Sequence, residues 1–232
     1  SSNLIHVIGA DGKFTSNSGW KDKATNVSFF GRANYNFNNR YLLTATIRAD
    51  ASSKFGDNNR WGYFPSFAAA WRINEENFMQ NTDHWLSNLK LRMGYGQVGN
   101  SNIGTYLYGS TMMAFASSFG TAYRMSNNAS PDLKWEASEQ YNVGLDLGLL
   151  QNRIDLAVDV YHKSTKDLLL QPSVSPVLGG SGWSDIQTPY MNIGRVENRG
   201  LDIALNTHNI ARQNFNWRTN IIVSINRNEV KE

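Results

Sequence analysis

The feature that most constrains this chain is period-2 patterning sustained over long stretches. In NYNFNNRYLLTATIRAD (34–50), Tyr35, Phe37, Tyr41, Leu43, Ala45, Ile47 and Ala49 share one parity. Asn34, Asn36, Leu42, Thr44, Thr46, Arg48 and Asp50 share the other, and Asn38-Asn39-Arg40 forms the turn between the halves. Successive strand residues point to opposite faces, so this pattern specifies strands with one apolar and one polar face. Similar alternation predicts strands over about 24–37, 41–50, 63–73, 89–98, 135–148, 153–166, 195–207 and 215–227. Only 74–88 has a pattern that could hold a helical turn or two, and the segment 99–131 has room for short strands. The expected fold class is all-β and antiparallel.

Alternation alone leaves the partner of the apolar face open. It could be a second sheet in a soluble sandwich or the lipid around a transmembrane barrel. Three features favour lipid. The predicted strands are long, whereas soluble strands average ~5–6 residues. Connections alternate between short (38–40, 149–152, about 208–214) and long (51–62, 99–131, 168–194), with 74–88 as the exception; short turns at one end and long loops at the other organise outer-membrane barrels. Aromatics gather at strand ends, Tyr35, Phe37 and Tyr41 at a short turn and Trp61, Tyr63 and Phe64 at a long loop, as interfacial girdles do.

Composition removes several other classes. Aromatics reach 12% against five prolines, which excludes disorder. The 22 basic residues are interleaved with 19 acidic ones, and without a basic run a nucleic-acid partner is not expected. Cysteine is absent, so disulfides, thiolate zinc sites and cysteine nucleophiles are excluded. No apolar run approaches the ~20 residues of a membrane-spanning helix, a limit that does not apply to barrel strands of ~9–11 residues. The opening SSNLIHVIGADGKF lacks a signal-peptide pattern, which leaves an intracellular, mature or internal segment as the expectation.

Four stretches in order carry a family resemblance: 29–79 (FFGRANYNFNNRY…NEENFM), LKLRMGYGQVGN (89–100), 130–170 (SPDLKWEASEQYNVGLDLGLLQNRIDLAVDVYHKSTKDLLL) and NIGRVENRGLDIAL (192–205). Together they resemble the SusC/RagA family of TonB-dependent outer-membrane transporters of Bacteroidetes, over roughly residues 24–227. The resemblance implies a roughly 22-stranded barrel that imports glycans or peptides. It also implies a SusD-like surface lipoprotein as cap, TonB as energy source, outer-membrane lipid around the wall, and no enzymatic activity or cofactor. No plug or TonB box is legible, and NRNEVKE does not end in the aromatic of a complete barrel. The expectation is therefore a barrel segment of about eight strands, too few to enclose a transport lumen alone. A soluble all-β carbohydrate-binding module is the alternative.

Residues 94–99 match GxGxxG, but a dinucleotide site needs a following helix and an acidic residue ~20 positions on. Neither is present, and strand bending or close packing at a loop entrance explains the glycines better. The histidines His6, His84, His162 and His208 lack metal-ligand spacing, and no GxSxG marks a nucleophile. Asp155 and Asp159 share a parity, as lumen-facing acids would, so neither a catalytic nor a metal site is expected. The ligand-binding candidates are the loop aromatics Trp61, Tyr63, Tyr106, Tyr108, Trp183 and Tyr190, whose flat faces can stack on a sugar ring. Interfacial packing is the competing role for each, above all for Trp61 and Tyr63 beside strand ends.

Overall fold

The computed structural model describes residues 22–172 and 188–231. The strands are β1 (Asn26–Phe37), β2 (Tyr41–Ser52), β3 (Trp61–Arg72), β4 (Leu86–Asn100), β5 (Thr111–Ser117), β6 (Gly120–Asn127), β7 (Glu136–Leu149), β8 (Ile154–Lys166), β9 (Leu169–Leu170), β10 (Met191–Asn192), β11 (Arg195–Arg212) and β12 (Phe215–Lys231). Eight of them form one sheet in the order β1-β2-β3-β4-β7-β8-β11-β12. Every neighbouring pair is antiparallel. β1 and β12 are its two edges. The remaining strands form two hairpin-like pairs, β5 with β6 and β9 with β10, both within long connections.

Sheet strands run from 12 residues in β1 to 18 in β11, long enough to cross a bilayer with tilt. The 38–40 turn closes as its sequence predicts. Asn38 and Asn39 take left-handed φ of 51° and 56°, a region asparagine tolerates, and Asn39 N–H donates to Asn36 Oδ1 at 3.0 Å. β11 continues to Arg212 through an irregularity between His208 and Ile210, so the last short turn is only Gln213-Asn214. The segment after β3 folds as two 3-10 stretches, Ile73–Glu75 and Asn77–Thr82, and the strand that follows already starts at Leu86.

Register carries the alternation across the sheet. One rung of paired residues reads Tyr35, Leu43, Ala69, Met93, Val143, Val160, Leu201, Ile225 from β1 to β12. The adjacent rung, on the opposite face, reads Asn34, Thr44, Ala68, Gly94, Asn142, Tyr161, Gly200, Asn226. The sheet thus has an apolar and a polar face along its whole width.

Nothing among the described residues covers the apolar face. Phe29, Tyr35, Leu43, Ile47, Phe67, Met93, Val143, Val160 and Ile225 all remain exposed. The buried hydrophobics are Ala51, Phe55, Phe64, Leu86, Ile103 and Leu133. Phe55, Ile103 and Leu133 form one cluster inside the long connections, with Leu107, Trp135, Leu169 and Tyr190 packed on it. A soluble sandwich buries one face of its sheet; here the buried hydrophobic cluster of the described residues ties loops together at one end.

Candidate functional site

The polar face concentrates its charge on β4, β7, β8 and β11. Arg92 donates from Nε and Nη2 to Asp146 at 2.9 and 2.8 Å, and from Nη2 to Asp159 Oδ2 at 3.0 Å. Arg92 pairs in register with Gly144, and Gly144 with Asp159, so the guanidinium crosses an intervening strand. Gly144 makes this possible, because a Cβ there would lie 2.8 Å from Arg92 Nη2 and would collide with the Asp159 carboxylate. Asp202 lies directly opposite Asp159 on the next strand, and Lys90 stands 4.0 Å from Asp146.

Polar ladders extend from this network. Thr44 donates to Asn34 at 2.9 Å, Arg32 Nε to Thr46 at 3.2 Å, and Ser138 and Thr165 share a bond of 2.7 Å. Two more glycines make room for neighbours. The Tyr161 ring lies across Gly200, where a Cβ would sit 2.5 Å from its hydroxyl, and Asn142 lies over Gly94. Gly94 and Gly96 fall inside β4 and Gly99 one residue before its end, and the Asn142 side chain and the Phe64 ring pack closely against Gly94 and Gly99. No helix N-terminus follows them, so nothing there cradles a phosphate. Among the described residues no group of three or more His, Asp or Glu side chains could hold a metal ion.

At the long-loop end, the buried Phe55 ring tilts against Trp135 at 5.1 Å, and Phe64 meets Trp135 edge-on at 5.5 Å. Trp135 Nε1 donates to Arg60 O at 3.2 Å, and Lys54 Nζ to Ser101 O at 3.2 Å. Asn192 Nδ2 donates to Lys134 O at 2.8 Å and to Asp167 O at 2.9 Å, clamping the base of the last long connection. Three connections are therefore held as one folded cap.

The aromatic candidates fall in different places. Trp61 and Tyr63 lie at the start of β3, and Tyr63 pairs with Ala49 on the apolar parity; Trp61 stacks on Phe29 at 6.2 Å. Tyr106 is exposed with a left-handed φ of 59°, and Tyr108 lies against Gly56. Tyr190 packs on the buried cluster while its carbonyl accepts from Ser130 Oγ at 2.8 Å. Trp183 lies outside the described residues. Sequence reading passed over Phe55 and Trp135, which sit in connections without periodicity.

At the short-turn end, Glu76 accepts from Tyr41 OH at 2.6 Å and from Trp71 Nε1 at 3.0 Å, with Arg40 Nη1 at 3.3 Å. The Tyr41 hydrogen bond, then that of Trp71, holds the Glu76 carboxyl below its ordinary value. The rings of Phe37, Tyr41 and Trp71 follow one another at 6.4 and 6.3 Å, a continuous aromatic row along that end of the apolar face.

This architecture has close counterparts. The family described as TonB dependent receptor-like, beta-barrel, matches residues 5–229. The TonB-dependent receptor SusC of Bacteroides thetaiotaomicron is 37% identical over 230 residues, 95% of this chain but 22% of that protein. TonB-dependent receptor P26 of Formosa agariphila is 35% identical over 88% of this chain and 20% of its own length. The solved RagAB peptide transporter superposes with a TM-score of 0.79 at 31% identity, over 89% of this chain and 22% of that one. The Pseudomonas aeruginosa siderophore receptor PirA shares the fold alone, with a TM-score of 0.57 at 16% identity. The chain spans only about a fifth of the length of the curated relatives it matches. It belongs to the TonB-dependent receptor β-barrel family and, within it, to the SusC/RagA group.

Proposed function

We propose that this chain is part of the wall of an outer-membrane barrel that imports glycans or peptides, energised by TonB and capped by a SusD-like lipoprotein. One observation carries the reading. Across the middle of the sheet, alternate rungs separate an uncovered apolar face from a polar one, the division a barrel wall makes between acyl chains and a wet lumen. The names of the relatives support cargo of this kind, since one is SusC and another a peptide transporter. The polar face, with Arg92, Asp146, Asp159 and Asp202, lines the lumen, and the cap around Phe55 faces outside.

On this reading the free edges of β1 and β12 pair with further strands of the same barrel, because an unpaired edge in lipid leaves backbone groups unsatisfied. The sheet performs no chemistry; its polar face supports a lumen through which cargo moves. Of the described aromatic candidates, Tyr106, Tyr108 and Tyr190 belong to connections on the cargo side, whereas Trp61 and Tyr63 belong to the lipid interface.

Deleting the gene in its native host and scoring growth on single glycan or peptide sources tests the function. Loss of growth on one such source, restored by the intact gene and abolished again without TonB, is expected, together with co-purification of a surface lipoprotein. Undiminished growth on every source, with a protein that is monodisperse without detergent, overturns the reading and returns the soluble carbohydrate-binding module.

A further inference from the structure

The apolar face does not stay apolar to the end of every strand. The rung next to Tyr35–Ile225 on that face reads Ala33, Ala45, Phe67, Tyr95, Tyr141, then His162, Arg199, Arg227. Within one rung, the side chains change from hydrocarbon on β1–β7 to cationic on β11 and β12. Barrel strands tilt by ~35–45°, so a rung perpendicular to them climbs through the membrane as it crosses the sheet. The same rung lies within the apolar belt at β1 and above it at β12. The next rungs toward the long loops add Glu139, Ser164, Glu197 and Glu229, then Lys166, Arg195 and Lys231.

These charges are layered. Glu197 is approached by Arg195 at 3.7 Å, Arg199 at 3.3 Å and His162 Nε2 at 3.8 Å. Glu229 is approached by Arg227 at 2.7 Å, Lys231 at 2.6 Å and Arg199 at 3.9 Å. The two carboxylates are the recessed members, with side chains 15% and 26% exposed, whereas those of Arg199 and Arg227 are 60% and 79% exposed. Among the described residues, two acids thus pair with four cations and match only half of their charge. Lys166 has its own partner in Glu139. Below Arg199 and Arg227 lies a groove of ≈ 470 Å³, its wall made by Tyr141, Val143, Val160, Leu201 and Ile225.

We propose that this outward patch, an apolar groove beneath exposed arginines, binds a phosphate-bearing acyl lipid of the outer leaflet. One acyl chain lies in the groove against Val160, Leu201 and Ile225, and its phosphorylated headgroup is held by Arg199 and Arg227. The order of the two chemistries decides the occupant. An acidic peptide would not require a hydrocarbon groove on the membrane side, and a zwitterionic lipid would leave the excess positive charge unmatched. Guanidinium groups grip phosphate through paired N–H donors, and an arginine pair spaced across neighbouring strands suits a headgroup carrying more than one phosphate. The proposal rests on the outer-membrane reading above.

Native mass spectrometry of the intact transporter in neutral detergent tests it, with bisphosphorylated lipid A, the same lipid stripped of phosphate, phosphatidylethanolamine and inorganic phosphate as probes. Bisphosphorylated lipid is expected to bind preferentially. Arg199→Gln with Arg227→Gln is expected to weaken it about thirtyfold, given the contribution of each interfacial cation. Arg199→Lys with Arg227→Lys, which keeps the charge but loses the paired donors, is expected to bind more weakly than the parent and more tightly than the glutamine variant, and shows that the patch still folds. Equal binding of the dephosphorylated lipid, equal retention of inorganic phosphate, or undiminished binding by the glutamine variant overturns the site. A protein that enters vesicles yet fails these comparisons loses the lipid site alone. One that never enters vesicles loses the membrane reading as well.

Discussion

Arg92 reaches past Gly144 to put its Nη2 3.0 Å from Asp159 Oδ2, joining β4 to β8 across β7. The link exists only because the strand between them has no side chain at that point. Ionic groups on a half-exposed wall are worth little when they can also meet water, and breaking this one pair would have a modest effect. Filling the gap is different, because the new atoms must displace both charged groups at once. Gly144→Val is therefore expected to destabilise the barrel by about 1–3 kcal/mol, the range for overpacking. The Arg92→Gln change should cost less. Urea unfolding in vesicles measures both, and equal effects would show that the glycine is not what permits the crossing.

The loop cap gives a second prediction. Phe55 is fully buried against Trp135, just beyond the strand ends where the alternating rungs stop. Phe55→Ala should cost about 3–5 kcal/mol, the range for emptying an aromatic core site, but locally. Trypsin is expected to cut at Lys54, Arg60 or Lys134 in the variant while the sheet keeps its heat-modifiable migration on gels. Loss of that migration would instead show that cap and sheet fold as one unit.

Glu76 supplies a pH-dependent prediction. Its folded carboxyl titrates below the ordinary 4.5, chiefly through the hydrogen bond from Tyr41 and then that from Trp71. A depressed acid contributes stability that is fully present above its unfolded value and disappears as pH falls through the lower folded one. The segment 73–85 should consequently loosen only below the usual carboxylate range. Amide exchange across 73–85 is expected to accelerate on acidification there, and Glu76→Gln to remove most of the pH dependence. An unchanged profile in the variant would place the switch on another group.

The sheet was legible from sequence because strand register turns local alternation into a global division. Once Asn38-Asn39-Arg40 closes β1 against β2, Tyr35 must meet Leu43, and each later turn repeats the logic. What a single strand does not reveal is where its belt begins relative to its neighbours. Arg199 and Arg227 read as ordinary polar ends of two strands, and only register puts them in one rung with Phe67 and Tyr95. The glycines raised the same difficulty. Gly200 serves Tyr161 and Gly144 serves Asp159, partners 39 and 15 positions away in the chain. The cap was illegible for another reason, since Phe55 comes from one connection and Ile103 and Leu133 from the two ends of another, with no period to mark them.

Asp202 and Ile203 are adjacent in β11 and point to opposite faces, which makes them the most direct probe of what surrounds the sheet. Asp202 faces Asp159 on the polar side, and Ile203 meets Val158 and Val223 on the apolar side. These 232 residues contain no cysteine, so in a barrel whose other segments are cysteine-free a single one at either position reports without background. In the intact barrel, Asp202→Cys is expected to react with a charged, membrane-impermeant maleimide. Ile203→Cys should resist it, and a fluorophore attached there before reconstitution should be quenched by brominated acyl chains. The substitution at 203 removes only part of a half-buried side chain on the apolar face, so it should leave folding nearly intact. Charged-reagent access at both positions would put water on both faces and remove the lipid from the apolar side. Access reversed between them would turn the sheet inside out, with the Arg92 network against the bilayer, where charged side chains are costly.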